Sequence, residues 1–320
     1  MFPSVICKII AEYATDYDKN LLDWIDINKI NWKNLSFNPN AIKLLKAYPD
    51  KINWYNLSYN QSAIELLKEH PDKINWYNLS YNPSAIELLT LDQYRISWYF
   101  LSLNLNAVDL LTANQDKINW ENLSHNTEAV SLLKTNPYKI NWHMLSSNIA
   151  DGAISLLKAN QDKIDWYELS RNSADGAISL LIANPDKINW QNLSSNMADG
   201  AISLLTANQD KINWIWLSNN TADGAIKLLT ANQDKINWHN LSRNMADGAI
   251  SLLKANPDKI DWWSISANPN AIALLNVNQD KINWNELSRN PNIFTNDIAK
   301  YNTDVKNLQS LLYLINSKVL

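Results

Sequence analysis

The apolar residues of this chain recur with a fixed period over most of its length. The motif Ile-Asn-Trp-x-x-Leu-Ser-x-Asn returns twelve times with minor changes, and its tryptophans lie 22 residues apart, or 24 in a central stretch. A period of roughly 20–50 residues is typical of solenoids, in which each unit buries its apolar side against its neighbours. We therefore predict an all-α solenoid over residues 32–290. Its anchoring tryptophans are Trp32, Trp54, Trp76, Trp98, Trp120, Trp142, Trp166, Trp190, Trp214, Trp238, Trp262 and Trp284.

Each unit is predicted to contain one α-helix that carries a Leu-Leu pair. In the first regular unit Asn38 is a suitable N-cap, and Pro39 occupies the first helical position, where its missing N–H costs nothing. Ala41, Leu44 and Leu45 follow at i, i+3 and i+4 spacing, which places them on one apolar side of the helix. The same arrangement recurs in every regular unit, so this helix is a constant part of the fold.

The second helix of each unit is predicted to be short. It begins after Asn53 with Trp54 and reaches Leu57, which leaves room for about two turns of α or 3₁₀ helix. The tryptophan and the leucine are expected to face the same core as the Leu-Leu pairs. The turn that joins the two helices contains an asparagine such as Asn160, which tolerates the left-handed conformation of a helix C-cap.

A serine and an asparagine recur in every unit, four and six residues after the tryptophan. Polar residues repeated so strictly are expected to bond backbone groups left free at helix ends. Twelve copies of one pair do not form a single catalytic constellation, so we assign them a structural role. The serines are Ser36, Ser58, Ser80, Ser102, Ser124, Ser146, Ser170, Ser194, Ser218, Ser242, Ser266 and Ser288, and the asparagines are Asn38, Asn60, Asn82, Asn104, Asn126, Asn148, Asn172, Asn196, Asn220, Asn244, Asn268 and Asn290.

The units of the block 148–252 are two residues longer and carry all five glycines of the chain. The insert lies between the capping asparagine and the Leu-Leu pair, so these units should have a longer first helix. If Asn148 caps this helix, Asp151 falls at its third position, where a carboxylate meets the helix dipole favourably. Gly152 then costs up to about 1 kcal/mol relative to alanine, which is tolerable if neighbouring units approach closely there.

The two ends of the chain depart from the repeat. Residues 1–31 are predicted to form an N-terminal capping unit, and residues 291–320, with an apolar spacing from Ile298 to Ile315, a closing helix or two. Terminal units of a solenoid must cover an otherwise exposed apolar end. Twelve units at the roughly 8–10 Å spacing of packed helices give a path about 100–120 Å long.

The residues one and five positions after each tryptophan vary while the framework stays constant. Their i, i+4 spacing places them on one side of the short helix, and a solenoid commonly presents its partner-binding surface this way. In the first units they are aromatic, and tyrosine is favoured at protein interfaces. The alternative is that these rings only pack between units. The candidate partner-binding residues are Phe37, Tyr55, Tyr59, Tyr77, Tyr81, Tyr99, Leu103, Tyr167, Arg171, His239, Arg243 and Trp263.

The composition restricts the chemistry. The net charge is −4, so a sequence-independent grip on nucleic acid is not expected. The four histidines share no metal-ligand spacing, and no phosphate-binding or nucleophile motif is present, so we expect neither an enzyme nor a cofactor. Cys7 is the single cysteine, which fits a reducing compartment. No basic leader and no long apolar run is present, so we expect a protein that is not secreted and does not enter membranes.

The repeat resembles a family of proteins encoded in multiple copies by giant DNA viruses of amoebae. The resemblance rests on the pattern Asn-Pro-x-Ala-Ile-x-Leu-Leu-x-x-Asn-x-Asp-Lys-Ile-Asn-Trp-x-x-Leu-Ser, on the start at 21–26 and on the end at 290–294, and it covers roughly residues 21–294. It implies a viral protein that works in the host cytoplasm or in the virion. The architecture is also similar in outline to leucine-rich-variant solenoids.

Three functions remain open from the sequence. The first is a non-catalytic scaffold that binds a viral or host protein through the variable residues. The second is a structural component of the virion. The third is a substrate adaptor for a ubiquitin ligase, since residues 2–10 faintly resemble the first helix of an F-box, although the repeats begin too soon for a whole F-box domain. The partner and the oligomeric state are not determined by the sequence.

Overall fold

The computed structural model describes residues 19–296, and within this range the chain alternates between short helices with the predicted period. The helix that starts at each conserved tryptophan, here called the Trp helix, is an α-helix of four to six residues. The predicted all-α solenoid is confirmed. The Trp helices are Trp32–Leu35, Trp54–Leu57, Trp76–Tyr81, Trp98–Leu101, Trp120–His125, Trp142–Ser146, Trp166–Leu169, Trp190–Leu193, Trp214–Leu217, Trp238–Arg243, Trp262–Ser266 and Trp284–Leu287.

The second α-helix of each unit, here called the Leu-Leu helix, has two lengths. It has five or six residues in the short units and nine in the long ones, as the two-residue insert predicts. The short forms are Ile42–Ala47, Ile64–Glu69, Ile86–Leu91, Val108–Thr112, Val130–Thr135 and Ile272–Asn276. The long forms are Asp151–Ala159, Asp175–Ala183, Asp199–Ala207, Asp223–Ala231 and Asp247–Ala255.

Two kinds of 3₁₀ turn connect these helices. Capping turns follow the conserved asparagine of the short units at Pro39–Ala41, Gln61–Ala63, Pro83–Ala85, Leu105–Ala107, Thr127–Ala129, Pro269–Ala271 and Pro291–Ile293. Charged turns precede the Trp helices at Ile27–Lys29, Pro49–Lys51, Pro71–Lys73, Gln93–Arg95, Gln115–Lys117, Pro137–Lys139, Gln161–Lys163, Pro185–Lys187, Gln209–Lys211, Gln233–Lys235, Pro257–Lys259 and Gln279–Lys281. The segment 39–47 is therefore a 3₁₀ turn followed by an α-helix, and the predicted single helix is corrected.

One continuous apolar core runs through the units. The second leucine of each Leu-Leu pair and the leucine of each Trp helix, such as Leu45 and Leu57, are completely buried, together with Ala41. The tryptophans were expected in this core but are only partly buried and pack against its edge. In several units a lysine or arginine of the following unit lies over the indole. Lys211 Nζ, for example, lies 4.5 Å from the ring centroid of Trp190.

The two ladders of polar residues bond backbone groups, as predicted, and through these bonds they join neighbouring units. Ser36 Oγ donates to Trp32 O of its own unit at 2.9 Å and accepts from Asn53 N–H of the next unit at 3.0 Å. Asn60 Nδ2 donates to the carbonyl oxygens of Ser36 and Asn38 in the preceding unit at 3.2 and 3.0 Å. These asparagines and serines are almost fully buried, so each bond satisfies a backbone group that water cannot reach.

The turns after the Leu-Leu helices do not use left-handed backbone. Among residues 19–296 no residue has a positive φ, so the expected left-handed C-cap is wrong. Asn160, at φ −135°, instead ends its helix through its side chain, whose Nδ2 donates to Leu156 O at 2.9 Å. The asparagine thus satisfies a terminal carbonyl directly.

The last unit packs against the first through the same contacts that join all other neighbours. Asn31 N–H donates to Ser288 Oγ at 2.9 Å, which is the serine bond of every other junction. Asn38 Nδ2 donates to Asn290 O at 2.9 Å, and Lys29 Nζ lies 5.1 Å from the ring centroid of Trp284. The junction therefore has the register of an internal one.

Two short strands add to this closing junction. Strand Lys19–Leu21 pairs antiparallel with strand Phe294–Asn296, and Leu22 N–H donates to Ile293 O at 2.9 Å. The stack consequently forms a closed ring rather than an open path with two ends. Twelve units at about 8–10 Å spacing close a circle about 30–40 Å across.

The capping turns lie closer to one another than the charged turns do. Capping turns of neighbouring short units contact each other extensively, while neighbouring charged turns make fewer contacts. Because the inner side of a ring has the shorter circumference, the capping turns lie at the inner side and the charged turns at the outer rim. The C-terminal ends of the Trp helices adjoin the capping turns and share the inner side.

The glycines of the long units are explained by packing. A Cβ atom at Gly224 would lie 2.5 Å from Ile202 Cγ2 of the preceding unit, and the other four glycines face a valine or isoleucine in the same way. Neighbouring long helices therefore touch at the glycine, as the sequence predicted. Asp151 is the first residue of its helix rather than the third, because Asn148 Oδ1 accepts from Ala150 N–H ahead of it.

Several expectations concern residues outside the described range. They are those for Cys7, for the F-box-like segment 2–10, for the part of the N-terminal capping unit before Lys19, and for the closing helices after Asn296. Within the described range, residues 291–296 form a 3₁₀ turn and a strand.

Candidate binding face

Three positions of each Trp helix form a continuous surface along the ring, here called the variable face. They are the first, second and fifth residues after the tryptophan. Every Trp helix except Trp98–Leu101 is oriented by a side-chain N-cap, such as Asn53 Oδ1, which accepts from Asn56 N–H at 2.9 Å. Its leucine is buried, and the first and fifth positions are therefore turned to the surface.

The twelve predicted residues all lie on this face. Tyr55, Tyr77, Tyr99 and Tyr167 are between 51% and 54% exposed, so they are not core residues. Tyr59 and Leu103 are half-buried. The remaining exposed members are Phe37, Tyr81, Arg171, His239, Arg243 and Trp263.

The first four units bring six of these residues together in an aromatic cluster, formed by Phe37, Tyr55, Tyr59, Tyr77, Tyr81 and Tyr99, to which the structure adds Phe100. Successive rings meet at centroid distances of 5.9 Å for Phe37 and Tyr59 and 6.3 Å for Tyr59 and Tyr81. Tyr77 meets Phe100 edge-on at 4.3 Å. The rings thus contact one another across units and still expose about half of most side chains. Burial, and then the neighbouring hydroxyls of Tyr55 and Tyr77, raise the pKa of Tyr59 above its ordinary value.

Phe100 was missed because the second position was not considered variable. In half of the units this position holds an asparagine, such as Asn78, whose Nδ2 donates to Tyr55 O of the preceding unit at 2.8 Å. Where the asparagine is replaced, the new side chain joins the variable face, except for Ser264, which is buried. The replacements are Phe100, Met144, Glu168, Trp216, Ser264 and Glu286. Departure from asparagine at this position is the signal that could have identified them.

Two histidines of the variable face form ion pairs with the next unit. His143 Nδ1 lies 2.7 Å from Asp165 Oδ2, and His239 Nδ1 is bonded to Asp261 Oδ2. The hydrogen bond to Asp165 raises the pKa of His143. Partial burial acts to raise the pKa of Asp165, but the hydrogen bonds from His143 and from Glu168 N–H outweigh it, so that this pKa is lowered.

The pairing of these residues is visible in the sequence. Asp165 and Asp261 are the two aspartates at the N-cap position of the Trp helices, where asparagine is the rule. Each follows, 22 residues on, one of the two histidines at the first position of a Trp helix, His143 and His239. Both aspartates also cap their own helix, as Asp165 Oδ1 does by accepting from Tyr167 N–H at 3.0 Å.

Two depressions interrupt the variable face. One, of about 490 Å³, is bordered by Leu103, His125, Ser147 and Arg171. The other, of about 320 Å³, is bordered by Arg243, Trp263, Ala267 and Arg289. The structure therefore gathers Leu103 with Arg171 and Arg243 with Trp263, while Tyr167 lies outside both depressions and outside the aromatic cluster.

Comparison with known proteins assigns no family. No family model, no curated protein and no solved structure matches this chain. Within residues 19–296 no group of three or more metal-ligating side chains could hold a metal ion, and no helix there is long and apolar enough to cross a membrane. The variable face is therefore the basis for a proposal about function.

Proposed function

We propose that this protein is a non-catalytic, ring-shaped scaffold that binds another protein through its variable face, with the aromatic cluster as the main contact. The observation that carries the proposal is the contrast between constant and variable positions. The core leucines, serines and capping asparagines recur in unit after unit, whereas the first, second and fifth positions of the Trp helices change. The fold requires the first set in every unit, whereas the second set is free to differ from unit to unit and so to fit a partner.

The exposure of the cluster favours binding over packing between units. Tyr55, Tyr77 and Tyr81 remain 52%, 53% and 47% exposed although they touch neighbouring rings. Contiguous exposed apolar patches are uncommon on monomeric proteins and usually mark interaction sites. Tyrosines contribute large contact area with few rotatable bonds, which suits a protein interface.

The sequence resemblance supplies the setting of the proposal. If the chain is a giant-virus repeat protein, its partner is a viral or host polypeptide, met in the host cytoplasm or in the virion. No enzymatic activity, cofactor or nucleic-acid ligand forms part of this function.

Site-specific photo-crosslinking tests the proposal. A benzophenone amino acid is placed at Tyr77 within the cluster, and in a second protein at Tyr138, which is 80% exposed in a charged turn of the outer rim. Both proteins are incubated with lysate from infected amoebae and irradiated. We expect a discrete crosslinked polypeptide from position 77 that is absent from position 138.

A variant in which Tyr55, Tyr77 and Tyr81 are replaced by serine tests whether the crosslink depends on the aromatic cluster. The half-exposed rings contribute little to folding, so the variant should melt close to the wild-type protein and lose its crosslink at a benzophenone placed at Tyr99. Equal crosslinking from positions 77 and 138, or a crosslink that survives the serine replacements, contradicts the proposal.

A further inference from the structure

The smaller depression on the variable face is created by one small side chain. Ala267 occupies the fifth position of its Trp helix, where other units carry residues as large as Tyr81 or Arg289. The resulting space of about 320 Å³ lies within the range of small-molecule sites in proteins. Trp263 and Met245 border it and are 47% and 52% exposed, so both offer apolar surface to a ligand.

Two arginines flank this space, and each is oriented by a neighbouring unit. The guanidinium of Arg243 lies 5.2 Å from the ring centroid of Trp263, and its Nε donates to Ser264 Oγ at 3.2 Å. Arg289 Nη2 donates to Asn34 Oδ1 at 3.1 Å across the closing junction of the ring. Both side chains are thus held in place by neutral partners and keep further donors for a ligand.

The charge of the depression favours an anion. Within the described part of the chain neither guanidinium has a carboxylate at ion-pairing distance, although Glu286 also borders the space. Two guanidiniums and the carboxylate of Glu286 give the lining a formal charge of +1. Asp261, to which Ser264 Oγ donates at 3.1 Å, is not part of the lining and is paired with His239. An arginine that stacks on an indole and directs free N–H groups beside it suits a planar oxyanion or a phosphate.

We propose that this depression binds an aromatic oxyanion, meaning a phosphate or carboxylate attached to an aromatic ring. The oxyanion is bound by Arg243 and Arg289, and the ring packs against Trp263 and Met245. An inorganic anion leaves the indole uncovered, and an uncharged ring leaves the guanidiniums without a counter-charge, so the combination fits better than either part. The site lies in the last three units, and its Arg289 reaches Asn34 of the first unit across the closing junction. None of its proposed contacts is a residue of the aromatic cluster, so it does not depend on the function proposed above.

Isothermal titration of the intact protein with phenyl phosphate tests the site. The matched variants are Arg243→Met and Arg95→Met. Arg95 also lies over an indole, 5.3 Å from the ring centroid of Trp76, but it belongs to a charged turn and pairs with Asp92. A hydrogen bond to a charged group contributes about 1.5–3 kcal/mol, so Arg243→Met should weaken binding at least about tenfold. Arg95→Met should leave the affinity unchanged.

A second variant fills the depression without touching the arginines. Ala267→Tyr introduces the side chain that Tyr59 and Tyr81 carry at the same position, so the fold accommodates it, and unchanged melting confirms this. It should abolish phenyl phosphate binding.

A short peptide with one phosphotyrosine distinguishes two sources of the ligand. If the peptide binds more tightly than phenyl phosphate, the aromatic ring belongs to a protein. If it binds more weakly, the ligand is a free small molecule.

The proposal is overturned by several results. These are no measurable binding to the wild-type protein, equal losses in the two arginine variants, or equal affinity for inorganic phosphate. Equal affinity for benzylamine, which has the ring and the opposite charge, also overturns it. Failure of the crosslinking experiment at Tyr77 has no bearing on these titrations, so the two proposals fail separately.

Discussion

The short and long units build identical junctions from different lengths of chain. In a short unit the serine bond joins Asn53 to Ser36, 17 residues apart, at 3.0 Å. In a long unit it joins Asn213 to Ser194, 19 residues apart, at 2.9 Å. The hydrogen bonds of the conserved asparagines in short and long units agree in length as closely as the serine bonds do. The two extra residues therefore leave the polar ladders undisturbed.

The insert is absorbed where the Leu-Leu helix begins. A short unit makes a 3₁₀ turn and a short α-helix there, and a long unit makes one nine-residue α-helix. The longer helix brings a glycine against the isoleucine or valine of the preceding unit. The polar ladders therefore set the spacing of the units, and the apolar packing adapts to that spacing.

The largest expected loss of stability comes from breaking the asparagine ladder, which can be done in a short unit and in a long unit. Asn104 Nδ2 donates to two carbonyl oxygens and its Oδ1 accepts from Asn106 N–H, and Asn220 makes the same three bonds in a long unit. Because buried groups lose their partners, Asn104→Ala and Asn220→Ala should each cost about 2–4 kcal/mol. Urea unfolding followed by circular dichroism measures both. If the two losses in the free energy of unfolding differ by more than the contribution of one hydrogen bond, the asparagine ladder is not equivalent in short and long units.

The next prediction compares the closing junction with an internal one. Ser288 joins the last unit to the first, and Ser146 joins two internal units through the same pair of bonds. Ser288→Ala and Ser146→Ala should therefore cost the same, about 1–3 kcal/mol each. Hydrogen exchange at Asn31 and Asp165 N–H reports the two junctions separately. A much smaller loss for Ser288→Ala means that the ring is open in solution.

The fold could be predicted because its information is local and repeated. Asn38, Leu45, Trp54 and their equivalents specify one unit, and twelve copies leave little ambiguity about the architecture. Ring closure could not be predicted, because it depends on the sum of twelve small rotations between units, and no single residue encodes that sum. The contacts of Asn31 with Ser288 are ordinary junction contacts that only the complete stack brings together.

The candidate face was predicted in position but not in detail. The i, i+4 spacing predicted that Tyr55 and Tyr59 share one side of the short helix; in the structure Tyr55 is exposed and Tyr59 is half-buried. The grouping of Arg243, Ala267 and Arg289 was not foreseen, because the missing volume at Ala267 becomes a depression only when neighbouring units fix its walls. A search of the sequence for large or charged residues at the variable positions does not identify a small residue such as Ala267 as part of a site.

A smaller effect is expected from the glycine contact of the long units. In Gly224→Ala the added methyl group overlaps Ile202 Cγ2, which costs about 1–3 kcal/mol, partly offset by the better helix propensity of alanine, about 1 kcal/mol. Ser62→Ala, at the equivalent exposed position of a short unit, should change stability by less than about 0.5 kcal/mol. Thermal melting compares them. Adding Ile202→Leu, which removes the branched methyl group, should restore part of the loss in Gly224→Ala; without any recovery the contact is not the cause.

The smallest effect concerns the histidine–aspartate pairs, which lie in the first and last of the long units. The pKa of His143 is raised in the folded protein, so its ion pair stabilises the fold fully below the unfolded value of about 6.5 and is lost as the pH rises through the folded pKa. The pKa of Asp165 is lowered, so its contribution is present above its unfolded value and is lost as the pH falls through the folded pKa. The pair therefore stabilises most in the mildly acidic range between the two.

Because His143 is half exposed, solvent screening limits this pair to about 0.2–1 kcal/mol. His143→Gln keeps a polar side chain and leaves Asp165 free to cap its own helix. The difference in melting temperature between wild type and variant should be largest in the mildly acidic range and should shrink as the pH rises above about 6.5. Tyr167→Gln, which changes the same position of the next Trp helix without a titrating partner, should give a difference that does not vary over this range. A constant difference for His143→Gln means that the histidine contributes by packing alone.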